Sequence, residues 1–325
     1  MGQANVELIS AIAASGYDER MEAVPASLLR WKNFLLICLV LLAMVIPSYN
    51  VCARDTEFIR WNPEDLMNGS PCLFTIQLSD SSSSVNGTWQ GHKLKFFRTK
   101  QAPDRWYAIA GIDVATTPGD YELSVTINHQ GDLQALHRRI NITPAPYNEI
   151  PLTVPEKFVQ PDAHAQKIIA ADQEIKRKAF SNSAPAPLWS GKFASPLQTA
   201  PSTDSFGTRR VFNGSLASIH RGLDYRAKPG TPVRAANAGR VVLARALYLE
   251  GNCVVIDHGL GVMTIYMHLS RFNVRKGQLV KQGQLIGRSG RTGRATGPHL
   301  HFSVRWEEEY LDPAKLFLMA LPEPK

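Results

Sequence analysis

Gly297-Pro298-His299-Leu300-His301-Phe302 is the stretch on which the reading of this chain turns. On an extended strand side chains alternate faces, so His299 and His301, two apart, point the same way. Far upstream the chain reads His220-Arg221-Gly222-Leu223-Asp224. If that stretch is extended too, His220 and Asp224 share a face, and Gly222 between them disfavours a helix. Imidazoles and a carboxylate converging from two distant segments can hold one divalent ion. Two neutral imidazoles and one carboxylate leave a net positive charge and a vacant fourth position, which is the layout of a hydrolytic site. A closed structural site takes four ligands, usually with cysteine.

A third element, Ile265-Tyr266-Met267-His268-Leu269-Ser270, closes a strongly apolar run with a histidine that need not bind metal. The ordered set His-x-x-x-Asp, Tyr-Met-His-Leu-Ser and Gly-Pro-His-Leu-His-Phe resembles the lysostaphin and LytM family of zinc metallopeptidases, which cut the peptide part of bacterial peptidoglycan. The resemblance runs from about Gly191 to Phe317 and implies a barrel-sandwich-like peptidase domain, placed here at residues 188–320. By position it implies one Zn2+ per catalytic domain, held by His220, Asp224 and His301, with His268 and His299 as an unligated catalytic pair. One of that pair would take a proton from the attacking water and the other would donate to the oxyanion and leaving amine; spacing does not say which. Some relatives have lost ligands and only activate other cell-wall enzymes. Here all five positions are occupied. The expected activity is therefore a zinc-dependent endopeptidase acting on peptidoglycan cross-links, and the alternative is a noncatalytic cell-wall-binding or amidase-activating module.

Other residues near the motifs carry weaker signals. His258, in Ile256-Asp257-His258-Gly259, follows a strand and precedes a glycine turn, and is expected to stand outside the site. Phe206-Gly207-Thr208-Arg209-Arg210 resembles the family's entry into its groove, where Arg209 or Arg210 would meet a substrate carboxylate unless each is simply a surface arginine. Val274 to Gly287 resembles the hammerhead of lipoyl and biotinyl carrier domains, but no lysine sits in a carrier's hairpin-tip context, so the likeness is one of barrel-sandwich geometry.

Outside this region the composition is ordinary: 325 residues, 44% hydrophobic and 20% charged, enough for two modest domains. Phe34 to Ile46 is one uninterrupted apolar run, preceded by Arg30 and Lys32 and followed by Pro47, Ser48 and Val51-Cys52-Ala53. That is the shape of a signal peptide cleaved after Ala53, and the run is short of the roughly twenty residues of a membrane span. The long stretch before it leaves two readings: a start at Met21, or a cytoplasmic tail with residues 34–46 kept as an inner-membrane anchor. Either reading exports the rest to the periplasm or cell envelope. Cys38 and Cys52 would leave with a cleaved signal, and Cys72 and Cys253 fall in different domains, so neither a disulfide nor a zinc-cysteine site is expected. The net charge of +8 is uneven, with 19 Lys plus Arg against 9 Asp plus Glu from Ala186 onward. A basic surface there favours encounter with the carboxylates of peptidoglycan stem peptides, although charge alone also fits simple solubility. No zinc-finger spacing or basic helix marks a nucleic-acid partner.

Period-2 patterning predicts a mainly β chain. Phe74, Ile76 and Leu78, then Tyr121, Leu123, Val125 and Ile127, alternate with polar residues, and further strands are expected at Leu94 to Arg98, Trp106 to Val114 and Leu133 to Ile142. Together they suggest an immunoglobulin-like β-sandwich over residues 54–146, whose His92, His129 and His137 join no ligand set. Residues 147–187 read as a linker with a helix, capped by Asp162 and running to Phe180 with Ile168, Ile169 and Ile175 as an apolar stripe. The helix either lies across the peptidase domain or merely spaces the two domains, a packed spacer being the simpler role. Strands are expected again at Thr231 to Val233, Gly239 to Leu243, Asn252 to Asp257, Gly261 to Met267 and Val280 to Gly287.

Overall fold

A computed structural model describes residues 58–78, 83–152, 162–197, 202–212 and 215–323. The expected signal or anchor within residues 1–53 lies outside the described residues. Among the described residues no helix is long and apolar enough to cross a membrane.

The described chain is mainly β. Its first part contains β1 (Phe58–Asn62), β2 (Leu66–Met67), β3 (Pro71–Gln77), β4 (Ser84–Trp89), β5 (His92–Lys93), β6 (Arg105–Gly111), β7 (Gly119–His129) and β8 (Asp132–Thr143). These form a three-stranded sheet, β1-β3-β6, and a five-stranded sheet, β2-β8-β7-β4-β5. In β7 the alternation does what period 2 requires: Leu123, Val125 and Ile127 are buried while their neighbours face outward. Side chains of the two sheets meet where Phe74 of β3 packs edge-to-face on Trp89 of β4, centroids 5.4 Å apart. Leu94 to Arg98 does not form the expected strand. It keeps only an isolated bridge from Phe97 to Tyr107, although Leu94 and Phe97 are still buried.

After β9 (Glu149–Leu152) comes the helix α1 (Ala163–Phe180), capped as expected by the Asp162 side chain, which accepts from Ala165 N at 2.8 Å. Its fully buried residues are Ala165 and Ala179, with Ile168, Ile169 and Ile175 half-buried beside them. It is more than a spacer. Ala179, Ile175 and Phe180 join a second hydrophobic cluster with Leu243, Cys253, Val255, Met263 and Ile265.

The remaining strands are β10 (Ser202–Asp204), β11 (Arg209–Phe212), β12 (Ser215–Ile219), β13 (Leu223–Arg226), β14 (Pro232–Arg234), β15 (Gly239–Leu247), β16 (Gly251–Asp257), β17 (Val262–Phe272), β18 (Leu279–Val280), β19 (Leu285–Ser289), β20 (His299–Trp306) and β21 (Glu309–Leu311), followed by the short helix α2 (Pro313–Leu318). Ten of them make one sheet with the path β10-β13-β20-β17-β16-β15-β18, to which β14, β19 and β21 add. Val254, Ile256, Val262 and Tyr266 belong to the large core, and Val255, Met263 and Ile265 belong to the cluster under α1. The central strands are thus buried on both faces, which is why they read as continuous apolar runs. Beside this sheet, β9 pairs in parallel with β11, and β11 with β12.

The large core is shared. It runs from Phe74, Trp89 and Ile109 of the first sheets to Trp189, Phe302, Val304 and Leu311 of the last one. Cys72 and Cys253 are both buried and free, with no disulfide between them.

Candidate active site

The strand pairing explains how distant residues meet. In the antiparallel ladder of β13 with β20, Asp224 lies opposite His301, and in that of β17 with β20, Met267 lies opposite His301. His299 and His301 therefore rise from one face of a central strand, with Asp224 on one flank and His268 on the other. His220 reaches the site differently from expectation. It lies just past β12, and β13 begins only at Leu223, so the two residues are not on one continuous strand. The chain turns through Gly222, which passes so close to β20 that a Cβ there would stand 2.6 Å from His301 Nε2 and 2.6 Å from the Phe302 carbonyl. Only glycine allows that approach.

Three atoms converge. His301 Nδ1 is 2.8 Å from Asp224 Oδ1, His220 Nε2 is 3.2 Å from the same oxygen, and the two nitrogens are 3.1 Å apart. A tetrahedral ion with ligand bonds of about 2.0–2.1 Å sets its ligand atoms about 3.3 Å from one another. The triangle is close to that size, and His220, Asp224 and His301 are the one group among the described residues that could hold a metal ion. The outer nitrogens are tied as a metal site requires. His220 Nδ1 donates to the Ser205 carbonyl at 2.9 Å, and His301 Nε2 lies 2.9 Å from the Ser303 hydroxyl. Burial alone would favour a protonated Asp224, but hydrogen bonds from His220 and His301 outweigh it and hold the carboxyl well below the usual carboxylate range. Burial pushes His301 toward its neutral form, against the pull of Asp224.

The other two histidines stand beside this triangle. His268 and His299 have ring centroids 4.6 Å apart, and His299 Nε2 is 3.8 Å from Asp224 Oδ1. Each donates Nδ1–H to a backbone carbonyl, His268 to Thr292 and His299 to Gly297, at 2.8 and 2.9 Å. In the neutral tautomer this arrangement makes Nε2 the acceptor nitrogen. Burial lowers the His268 pKa to about 4, so its imidazole is neutral at ordinary pH. His268 has φ +60°, a left-handed conformation that costs a histidine energy. Its amide donates to the Glu250 carbonyl at 2.9 Å.

All five residues line one cleft of ≈ 740 Å³, whose other walls include Ile150, Arg210, Arg221, Glu250, Arg294 and Tyr310. Of the two candidate arginines, Arg210 lines the cleft and Arg209 does not. His258 stays apart, as expected: it is fully buried, with Nδ1 donating to the Ala238 carbonyl at 2.7 Å and Nε2 2.8 Å from the Thr264 hydroxyl. His92, His129 and His137 are likewise elsewhere, near Glu309, Ser83 and Glu122 respectively. Sequence reading missed Thr292, Gly297, Ser205 and Ser303, which orient the rings. Three of them act through backbone carbonyls, which carry no residue signature.

An imidazole-carboxylate triangle open on one side, beside two further imidazoles, could hold a single metal ion in the manner of a hydrolytic centre. Residues 218–313 match the model of peptidase family M23, so the C-terminal part of the chain carries an M23 domain. Over 85 residues it is 52% identical to the peptidoglycan DD-endopeptidase ShyA of Vibrio cholerae, covering 26% of this chain and 20% of that protein. Over 91 residues it is 46% identical to lysostaphin of Staphylococcus staphylolyticus, covering 27% of this chain and 19% of that protein. The chain thus spans about a fifth of the length of these two relatives. Among solved structures, a Pseudomonas aeruginosa protein assigned to peptidase M23 superposes with TM-score 0.59 at 25% identity, covering 77% of this chain and 94% of that one.

Proposed function

We propose that this protein is a zinc-dependent endopeptidase that hydrolyses the peptide cross-links of bacterial peptidoglycan. The observation that carries the reading is the triangle of His220 Nε2, Asp224 Oδ1 and His301 Nδ1, sized for a tetrahedral ion and flanked by the paired rings of His268 and His299. Zinc, when bound there, supplies the Lewis acidity that makes a water reactive near neutral pH. His268 and His299 then move protons at Nε2. One accepts the proton of the attacking water, and the other donates to the oxyanion and afterwards to the leaving amine. Thr292 and Gly297 keep Nδ1 of both rings protonated, which holds Nε2 ready for either role. The relatives named as peptidoglycan DD-endopeptidases support the substrate class.

The remaining assignments belong to the same reading. Residues 188–320 form the peptidase domain, residues 147–187 the linker with its helix, and residues 54–146 an immunoglobulin-like sandwich that positions it. Residues 1–53 carry the protein into the periplasm or cell envelope, as a cleaved signal or with residues 34–46 as an anchor. A noncatalytic, amidase-activating role is the second reading, but it has no need of the five donors and their tied outer nitrogens.

Purified protein incubated with cross-linked sacculi is expected to release uncross-linked fragments and to contain one zinc per chain. Chelation or His301→Ala should abolish release, and zinc should restore the chelated protein. Activity that survives both treatments excludes the proposal. Stimulation of a partner amidase by a metal-free His301→Ala variant, with no cleavage by wild type, would instead establish the second reading.

A further inference from the structure

Tyr310 stands between two openings. On one side is the cleft with the five site residues; on the other is an alcove of ≈ 720 Å³ between α1 and the β20–β21 turn, and Arg221 and Tyr310 line both. The alcove is strongly basic. Lys95, Lys176, Arg177, Arg221 and Arg305 line it, against Glu307 and Glu308. Three of these cations already have carboxylate partners: Lys95 with Glu307 at 2.7 Å, Arg177 with Glu174 at 2.7 Å, and Lys176 with Glu250.

Arg221 and Arg305 differ from the rest. Neither forms an ion pair among the described residues, and both are held by aromatic faces instead. The Arg305 guanidinium lies 4.2 Å from the centroid of Phe180 and 5.9 Å from that of Tyr310, while Arg221 lies 5.1 Å from Tyr310. Stacking of this kind fixes the plane of a guanidinium and leaves its N–H edge available. Arg305 Nε is, in addition, buried with no hydrogen-bond partner. A buried donor left unpaired is unfavourable, and an acceptor entering the alcove removes the penalty.

We propose that this alcove is an anion subsite of the cleft that takes a free carboxylate of the substrate peptide, with Arg305 and Arg221 as the residues that select it. The inference rests on the endopeptidase reading for the identity of the peptide. Planar guanidinium donors match a carboxylate in bidentate fashion. Glu307 and Glu308 at the rim disfavour a dianion such as phosphate more than a singly charged carboxylate. Because Arg221 follows His220 directly, an occupied alcove also fixes how the peptide lies across the metal triangle.

The test uses dimeric cross-linked muropeptides with free carboxylates and the same dimers amidated at those groups, each measured for binding by calorimetry and for cleavage by mass analysis. Wild type should favour the free acid by about tenfold in affinity and in kcat/KM. Arg305→Gln and Arg221→Gln should lose that preference, while Lys100→Gln, a change of one charge on a remote exposed turn, should keep it. Arg221 is exposed, so its variant carries the test even if Arg305→Gln folds poorly. A preference that survives in both arginine variants, or its absence in wild type, overturns the subsite. If neither dimer is cleaved, the endopeptidase reading fails, and the calorimetric arm still decides the alcove.

Discussion

Two histidines show at the residue scale how environment separates structure from chemistry. His258 and His268 are both held neutral by burial, with pKa values lowered to about 4, yet His258 has both ring nitrogens engaged by Ala238 and Thr264 while His268 keeps Nε2 for the cleft. The first is therefore a stability element with a measurable pH signature. Its folded pKa lies below the ordinary value of about 6.5, so the unfolded chain binds a proton that the native chain refuses. Stability from His258 is complete above pH 6.5 and is lost as pH falls toward 4, by about 3 kcal/mol in all. His268 contributes with the same sign. Urea unfolding of wild type and His258→Gln across that window should show the variant with a pH slope shallower by about one proton; identical slopes would refute the assignment. That His258 would stand outside the site could be read from its place between a strand and a glycine turn. The left-handed backbone of His268 could not, because nothing about histidine as a residue type announces φ +60°.

At the scale of elements, legibility followed periodicity. β20 and β7 announce themselves by alternation, and Asp162 marks the start of α1, but the face that a helix covers depends on a partner far away in sequence. Gly222 signals departure from helix without saying what replaces it, so the sequence is compatible with an extended run as well as with the turn that forms. Likewise, Leu94 to Arg98 has apolar residues but no partner strand beyond the bridge at Phe97. The consequence of α1 packing reaches the site. Asp172 accepts from Tyr248 N at 2.6 Å, and Lys176 pairs with Glu250, whose carbonyl receives the His268 amide. The helix thus clamps the turn that supports the strained histidine. Lys176→Met leaves the Glu250 carboxylate nearly buried without its partner, and a shift of that turn should lower kcat about tenfold with bound metal unchanged. Lys176→Met with Glu250→Gln removes both charges, so recovery of most of the rate in the double variant would show that the pair acts by positioning. Equal rates in wild type and Lys176→Met would remove the helix from the argument.

For the whole molecule, the two strand-rich parts share one core, and their contact reaches Tyr310 in the cleft wall. Gly111 of β6 faces Leu311 of β21, where an added Cβ would fall 2.3 Å from Leu311 Cδ2, and Asp113 accepts from Tyr310 N at 2.8 Å. His92 and Lys95 hold Glu309 and Glu307 of the same hairpin at 2.8 and 2.7 Å. Tyr310 is therefore anchored from the N-terminal sheets while its ring separates cleft from alcove. The sequence showed both parts but not this coupling, since a glycine in one strand carries no trace of the leucine it admits. Leu311 is itself fully buried and has little room to yield. Gly111→Ala should cost about 1–3 kcal/mol through overpacking, and at this chain length each kcal/mol lowers Tm by about 1.5–2 °C. If the N-terminal sheets position the cleft, the same variant should also lower kcat/KM on cross-linked peptide at temperatures where it is fully folded, with metal content intact. A reduced Tm with unchanged kcat/KM would mean that the first sheets stabilise the enzyme without shaping its site.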